Sequence, residues 1–157
     1  MGKAVYVREE VCAGCGLCEV YCQLEHSRSG DLVKAFKRER PTAVPRVRLA
    51  SAPEICFPVQ CRQCEDPLCV QSCLTGAMCR DRETGVVTVH EGKCIGCWTC
   101  VVACAYGALA RAPTREVVLK CDLCPDREIP ACVANCPNEA LILGLDGEIC
   151  KGVGPAA

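Results

Sequence analysis

Sixteen of the nineteen cysteines fall into four groups of four, each with a spacing that suits iron–sulfur ligation. The first and third groups follow C-x2-C-x2-C-x3-C, while the gap before the third cysteine widens to four residues in the second group and to seven in the fourth. The groups are Cys12, Cys15, Cys18 and Cys22; Cys61, Cys64, Cys69 and Cys73; Cys94, Cys97, Cys100 and Cys104; and Cys121, Cys124, Cys132 and Cys136. A [4Fe–4S] cubane needs four thiolates, of which one such loop supplies three while the fourth cysteine binds a neighbouring cluster. The pattern therefore predicts four [4Fe–4S] clusters, with these cysteines as the iron ligands.

Two other uses of cysteine compete with this prediction. Small disulfide-rich proteins are typically exported, but the N-terminus has no apolar segment with a small-residue cleavage site. An odd number of cysteines also fits complete pairing poorly. Structural zinc uses two separated C-x2-C pairs, whereas the first and third groups place three cysteines at i, i+3 and i+6, and no histidine stands at a ligand position. Clusters are therefore favoured over both alternatives.

Composition limits how the chain can fold. Its 157 residues suffice for one domain or two very small ones. Aromatic residues make up only 4% of the sequence, so large side chains cannot form a conventional core and metal ligation must supply part of the folding energy. The chain without metal is predicted to be largely unfolded or molten.

The formal net charge is −1, but bound clusters would change it. An oxidised [4Fe–4S] core with four thiolates carries about −2, so four of them would bring the chain to roughly −9. The Lys and Arg residues are then expected to compensate the clusters, which argues against nucleic acid as a partner. No apolar run approaches the length of a membrane span. We therefore predict a cytoplasmic protein with no direct membrane insertion.

The pattern between the cysteines predicts an α+β fold of small units with much irregular chain around the clusters. Short strands are expected at Lys3–Val7, 46–50, 117–120 and 141–144, with another after a turn within 81–90. Brief helices are expected around 18–26, 68–74, 97–104 and 129–135. Gly14, Gly16 and Gly96 lie inside the ligand loops, where the backbone must turn tightly.

One long stretch, residues 27–60, carries no cysteine group and is rich in basic side chains. These are Arg28, Lys34, Lys37, Arg38, Arg40, Arg46 and Arg48. The stretch is either a solvated loop that ends in an edge strand or a basic docking surface that steers a partner enzyme. Elsewhere, Cys56, Cys79 and Cys150 are interpreted as packing residues rather than as a redox switch or extra ligands. His26 is interpreted as a surface histidine that ends a helix, and the alternative is a hydrogen bond that tunes a cluster.

The cysteine loops resemble those of a known class of proteins. The segments Cys12-Ala-Gly-Cys-Gly-Leu-Cys18, Cys61-Arg-Gln-Cys64, Cys94-Ile-Gly-Cys-Trp-Thr-Cys100 and Cys121-Asp-Leu-Cys124 are similar to loops of four-cluster electron-transfer subunits of large redox enzymes. The class includes the small subunits of molybdenum or tungsten enzymes of the dimethyl sulfoxide reductase type. Closer in size are the short four-cluster subunits of carbon monoxide dehydrogenases and of tungsten aldehyde oxidoreductases. The resemblance extends over residues 5–143.

This resemblance implies how the cysteines are shared among the clusters. Site 1 takes Cys12, Cys15, Cys18 and Cys136; site 2 takes Cys121, Cys124, Cys132 and Cys22; site 3 takes Cys61, Cys64, Cys69 and Cys104; and site 4 takes Cys94, Cys97, Cys100 and Cys73. Sites 3 and 4 would form an inner ferredoxin-like module, residues 51–115. Sites 1 and 2 would form an outer module from residues 1–50 and 116–157, into which the inner one is inserted.

The sequence contains no serine–histidine–acid set and no phosphate-binding glycine loop, so we predict a non-catalytic electron-transfer subunit. The resemblance implies a larger catalytic partner, an aldehyde oxidoreductase with tungsten or molybdenum or a nickel–iron carbon monoxide dehydrogenase, and a flavoprotein using NAD at the other end. Two alternatives stay open. The chain could be a freely diffusing polyferredoxin, or an electron-conducting scaffold that associates with itself.

Overall fold

The computed structural model describes residues 3–53 and 55–145. Short helices and strands alternate along this part of the chain, as predicted for an α+β protein. The strands are β1 (Lys3–Val7), β2 (Arg48–Ala52), β3 (Ile55–Val59), β4 (Met78–Arg80), β5 (Val87–Val89), β6 (Ala110–Arg111), β7 (Val118–Leu119) and β8 (Leu141–Leu145). The α-helices are α1 (Leu17–Glu25), α2 (Leu32–Lys37), α3 (Leu68–Gln71), α4 (Thr99–Ala103) and α5 (Ala131–Ala134). Single turns of 3-10 helix at Glu9–Val11 and Glu91–Lys93 lead into the first and third cysteine groups.

The strands pair as antiparallel ribbons of two. β1 pairs with β8, with Val5 opposite Leu143, so the first and last strands of the described chain lie side by side. β2 pairs with β3, β4 with β5, and β6 with β7. Because ribbons this small are only marginally stable alone, they depend on the helices and cysteine loops that pack against them.

The buried side chains form two separate hydrophobic clusters. One lies around β1 and β8 and contains Val5, Leu123 and Leu141 with Cys18, Cys22 and Cys132. The other lies around β4, β5 and β7 and contains Met78, Val87, Leu109 and Val118 with Cys100. The helices divide in the same way, since α1 packs against α5 and α3 packs against α4. Cysteine side chains thus occupy core positions that larger apolar residues take in other proteins.

The basic stretch 27–60 is more structured than a loop. The Asp31 carboxylate accepts a hydrogen bond from the amide of Lys34 at 2.8 Å and caps the first turn of α2, where Ala35 is buried. The Glu39 carboxylate accepts the amides of Arg28 and Ser29. These local hydrogen bonds form a compact helical segment that hydrophobic periodicity did not indicate. The prediction of a solvated loop is therefore wrong for this part of the stretch.

The end of the stretch forms the hairpin β2–β3 rather than a single edge strand. Its first strand begins at Arg48, two residues after the predicted start. Arg46 is diverted from the strand because its amide donates to the sulfur of Cys22 at 3.1 Å. The hairpin spans residue 50, where the sequence placed a module boundary.

In the described part of the chain, no helix has both the length and the apolar character needed to cross a bilayer.

Candidate iron–sulfur centres

The first cavity of interest lies beside the start of α1 and is lined by Cys12, Cys15, Cys18 and Cys136. The first three come from the loop that enters α1, and the fourth follows α5. The amide of Ala140 donates to the sulfur of Cys136 at 3.2 Å. The structure therefore brings together the four cysteines assigned to site 1, from opposite ends of the chain.

A second cavity repeats this arrangement and is lined by Cys73, Cys94, Cys97 and Cys100. Here the remote cysteine follows α3, and the amide of Met78 donates to its sulfur at 3.3 Å. The hydroxyl of Thr99 donates to the sulfur of Cys97 at 3.5 Å. Hydrogen bonds to a ligand sulfur stabilise its negative charge. The four cysteines assigned to site 4 thus also surround one space.

The cysteines assigned to site 3 lie close to one another. Burial, and then the charges of Cys61, Cys104 and Cys64, raise the pKa of the Cys69 thiol to about 11. The pKa of Cys64 is raised by burial and by Cys61 and Cys104 in the same way. Cys104 lies beyond α4 in the sequence, and its proximity follows from the packing of α3 against α4.

The cysteines assigned to site 2 are the most deeply placed. Burial raises the pKa of the Cys121 thiol to about 12. It raises that of Cys132 still further, helped by the charges of Cys121, Cys22 and Cys124. Cys22 reaches this group because α1 packs against α5. Bare thiolates are costly in such surroundings, so these residues suit a positively charged iron core that can balance four thiolates.

The cysteine side chains surround spaces and do not meet around a single atom. Among residues 3–53 and 55–145, no three His, Cys, Asp or Glu side chains are grouped so that they could hold a single metal ion. The cysteines of sites 1 and 4 instead stand around a space, as a cubane with a ligand at each iron requires. The donor sets therefore fit [4Fe–4S] clusters.

All four ligand loops share one backbone feature. The residue before the second cysteine of each loop has a positive φ, between +49° and +66°: Gly14, Gln63, Gly96 and Leu123. This left-handed conformation turns the loop sharply so that its cysteines face the same space, and it costs a non-glycine residue about 1–2 kcal/mol. In the sequence, glycine indicates this conformation at positions 14 and 96. Gln63 and Leu123 give no indication of it.

Gly96 gives a test of this loop geometry. An alanine Cβ at position 96 would lie 2.7 Å from Cβ and 2.9 Å from the carbonyl oxygen of Glu116, so Gly96→Ala adds a clash to the backbone strain. Gly30 also has a positive φ, +60°, but it lies outside the ligand loops and an added Cβ there meets no atom within 4 Å. We expect Gly96→Ala to lose most of the cluster at site 4, about four iron atoms per chain. Gly30→Ala should keep nearly full iron, as measured after anaerobic reconstitution. Equal iron in both variants would contradict this prediction.

The sequence interpretation missed a polar network beside site 2. His26 lies half-buried, with Nδ1 2.7 Å from the carbonyl oxygen of Cys22 and 3.8 Å from its sulfur, and Nε2 3.3 Å from Asp122. Arg46 pairs with the same carboxylate. His26 does end α1, as predicted, but its side chain is half-buried in this network and does not lie at the surface. Only the fold brings these three residues together, since they lie far apart in the sequence.

This network carries defined charges. Burial disfavours the charged imidazole, but hydrogen bonds to Asp122 and Cys22 outweigh it and raise the pKa of His26 to about 9. Burial likewise opposes ionisation of Asp122, yet His26 and Arg46 hold the pKa of its carboxyl well below its ordinary value. At neutral pH the network therefore places a histidinium beside the sulfur of Cys22. Asp122 stays ionised, and its negative charge is balanced by His26 and Arg46.

Two cysteines outside the four groups contact neighbouring chain. Cys56 packs over Gly14, where an added Cβ would lie 2.6 Å from its sulfur. The sulfur of Cys79 lies 3.4 Å from the hydroxyl of Thr88 across β4 and β5. Both contacts agree with the packing role predicted for these residues. Cys150 lies outside the described residues.

Comparisons with known proteins agree with this interpretation of the cysteines. Residues 53–146 match the family model of the 4Fe-4S dicluster domain. The electron transport protein HydN of Escherichia coli K12 is 38% identical, over 90% of this chain and 87% of its own. The thiosulfate reductase electron transfer subunit PhsB of Salmonella typhi is 36% identical, over 93% and 78%. A sulfite dehydrogenase subunit of Allochromatium vinosum is 35% identical, over 90% and 68%. These matches confirm the prediction of [4Fe–4S] clusters, and nineteen cysteines are consistent with four of them.

Proposed function

Because the chain belongs to the 4Fe-4S dicluster family of ferredoxin-type electron-transfer proteins, we propose that it carries electrons between a larger catalytic redox subunit and a second redox partner. When bound, each cluster would accept and release one electron. The observation that carries the proposal is the arrangement of the cysteines in four sets, of which two contain no exposed cysteine and two contain one exposed cysteine each. The names of the relatives are consistent with a role that is not itself catalytic.

We propose that the ligands are shared as sites 1 to 4 describe. Support comes from the two cavities, each lined by a loop of three cysteines and one remote cysteine. Further support comes from sites 3 and 2, in which the pKa of one cysteine is raised by the charges of others in the same set. In three sets the remote cysteine follows a helix, and in site 2 the remote cysteine, Cys22, lies within α1. Each of these helices packs against the helix of the partner loop.

The same contacts support two nested modules. The outer module would contain sites 1 and 2 with β1, β8, α1 and α5, around the first hydrophobic cluster. The inner module would contain sites 3 and 4 with β4 to β7, α3 and α4, around the second. We place the boundaries after the hairpin β2–β3 and after β7, rather than at residues 50 and 115. The hairpin packs against α1 and the turn Glu9–Val11, whereas β7 pairs with β6 of the inner module.

The sites would lie in the order 1, 2, 3, 4. Cys18 of site 1 lies close enough to Cys132 of site 2 for their charges to interact, and the charges of Cys61 of site 3 and Cys121 of site 2 also interact. Sites 3 and 4 are joined by α3, which contains Cys69 and is followed by Cys73. Exposed cysteines occur at the two ends, Cys15 in site 1 and Cys97 in site 4. Electrons would enter at one of these ends and leave at the other.

The partner is proposed from the relatives and from one surface. PhsB and the Allochromatium vinosum relative are both named as subunits of larger enzymes. The α2 surface, made of Leu32, Val33, Lys34, Lys37 and Arg38, exposes two apolar and three basic side chains together. Such a mixture suits a protein interface, in which charge steers the encounter. The resemblance predicts that this partner is a tungsten, molybdenum or nickel–iron enzyme. It also predicts a flavoprotein using NAD at the other end of the row of clusters.

Charge reversal tests the α2 surface. Lys34, Lys37 and Arg38 are exposed, so changing all three to glutamate should leave iron content unchanged while weakening complex formation at least tenfold. The defect should grow at low salt, where charges act over longer distances. Arg40 is left intact because it donates to the carbonyl oxygens of Phe36 and Glu39. The matched control reverses three exposed cations elsewhere: Lys3, Arg82 and Lys93. Binding that is unchanged in the first variant, or weakened equally in both, would show that α2 is only a solvated surface.

A freely diffusing carrier is the second candidate function, because HydN is named as an electron transport protein and not as a subunit. Purification from the native organism separates the two candidates. A catalytic enzyme that purifies with the chain supports the subunit, whereas a monomer that exchanges electrons with several acceptors supports the carrier. A large homo-oligomer would instead support the self-associating scaffold.

A further inference from the structure

A lysine is buried at the junction between sites 2 and 3. Lys120 is only 4% exposed, although it is a charged residue that normally reaches solvent. Its ammonium donates to the carbonyl oxygens of Val87 at 2.5 Å and Cys121 at 2.8 Å, and to Oε1 of Gln63 at 3.1 Å. All of its donor capacity is therefore directed into the protein.

The three oxygens that surround this ammonium are neutral. The ion pairs found among residues 3–53 and 55–145 include no acidic partner for Lys120. Burying a charge without a counter-charge is strongly unfavourable. The negative groups nearby are cysteine sulfurs: Lys120 opposes the rise in pKa that burial gives the thiols of Cys64, Cys69 and Cys121. These thiols belong to the sets proposed for sites 3 and 2, so two ligated clusters there would supply the counter-charge.

Gln63 holds the lysine in this place. Its side chain is 3% exposed, and its backbone has the left-handed conformation of the site 3 loop. Nε2 donates to the carbonyl oxygen of Cys121 at 3.0 Å, and Oε1 accepts the amide of Val87 at 2.9 Å as well as the ammonium of Lys120. One side chain thus links the loop of site 3 to a ligand of site 2 and to β5.

We propose that the fixed positive charge of Lys120, oriented by Gln63, raises the reduction potentials of the clusters at sites 2 and 3 and so sets the electron-transfer step between the two modules. Reduction adds one negative charge to a cluster, and a nearby buried cation stabilises that charge in a low-dielectric surrounding. In this step one electron would pass from one cluster to the other, and Lys120 would act only through its charge. The inference rests on the proposed ligand sets.

The test compares two lysines that each precede the first cysteine of a group. Lys120→Met removes the buried charge with similar side-chain length, and Lys93→Met removes an exposed charge beside Cys94. In a redox titration of the full holoprotein followed by electron paramagnetic resonance, Lys120→Met should make reduction at sites 2 and 3 at least tenfold less favourable. That change equals about 59 mV toward lower potential for a one-electron couple. The reduction potentials at sites 1 and 4 in Lys120→Met should shift by much less. So should the potentials at all four sites in Lys93→Met.

Sites 2 and 3 are identified by the signals that change in Cys22→Ser and Cys104→Ser, and iron content is measured first in every variant. Four unaltered potentials in a fully loaded Lys120→Met protein, or a uniform shift of all four, would overturn the inference. If Lys120→Met does not assemble clusters, Lys120→Gln answers the same question. It removes the positive charge but keeps an amide N–H donor for the surrounding carbonyl oxygens, so the same two potentials should fall. A failure of the ligand sets themselves would appear separately, as wrong assignments in the cysteine variants.

Discussion

Cys22→Ser should destroy or strongly alter the cluster bound by Cys121, Cys124 and Cys132, and leave intact the cluster bound by Cys12, Cys15 and Cys18. The reason is the packing of α1 against α5, which carries Cys22 away from its own loop and toward Cys132. Loss of one whole cluster removes about four of about sixteen iron atoms per chain. Iron analysis and the paramagnetic resonance spectrum of the reduced protein measure the result.

The reciprocal variant and a control complete this experiment. Cys136→Ser should affect the cluster of the first loop, because Cys136 lines the same cavity as Cys12, Cys15 and Cys18. Cys79→Ser changes a cysteine outside the four groups, which contacts Thr88, and should retain all clusters. If Cys22→Ser and Cys136→Ser each disturb only the cluster of their own loop, the ligands are not exchanged and the nested modules lose their basis.

Removal of iron should unfold most of the chain. Both hydrophobic clusters are built largely from small aliphatic residues and cysteines, and aromatic residues make up only 4% of the sequence. Without iron, several thiols become buried polar groups, and the four two-stranded ribbons lose the loops that hold them together. We expect the apoprotein to lose fixed tertiary structure and most amide protection, as seen by circular dichroism and hydrogen exchange.

Reconstitution provides the control for this experiment. Adding iron and sulfide anaerobically to the apoprotein should restore amide protection together with cluster absorbance, because ligation and folding are coupled. If the apoprotein kept a native circular dichroism spectrum and native amide protection, the apolar contacts would suffice to hold the core together. Iron ligation would then not be required for folding.

The ligand loops could be predicted from the sequence because cysteine spacing reports directly on cluster chemistry. The same spacing places α1, α3, α4 and α5 immediately beside or around the cysteines, so these helices were also predicted. The pairing of β1 with β8 was not, since two strands at opposite ends of a chain carry no mutual signal. Their individual positions were nevertheless predicted closely: β1 at Lys3–Val7 and β8 at Leu141–Leu145.

Other features depend on contacts that no local pattern reveals. Lys120 looks like an ordinary lysine after a short strand, and only the fold shows that its ammonium points inward. The helix α2 forms through a cap at Asp31 and a buried Ala35 within a basic, proline-containing stretch that favours a loop. At Gln63, three hydrogen bonds of the buried side chain stabilise a left-handed backbone that sequence patterns assign to glycine. In each case tertiary contacts outweigh local propensity.

The proposed electron transfer, the ligand sets and the role of Lys120 all require that sixteen cysteines hold four cubane clusters. The decisive measurement is the iron, acid-labile sulfide and zinc content of protein purified and reconstituted without oxygen. We expect about sixteen iron and about sixteen sulfide per chain, with zinc far below one per chain. A reproducible value near twelve iron in undamaged protein would mean that one group is not a cubane site, and stoichiometric zinc would contradict cluster binding altogether.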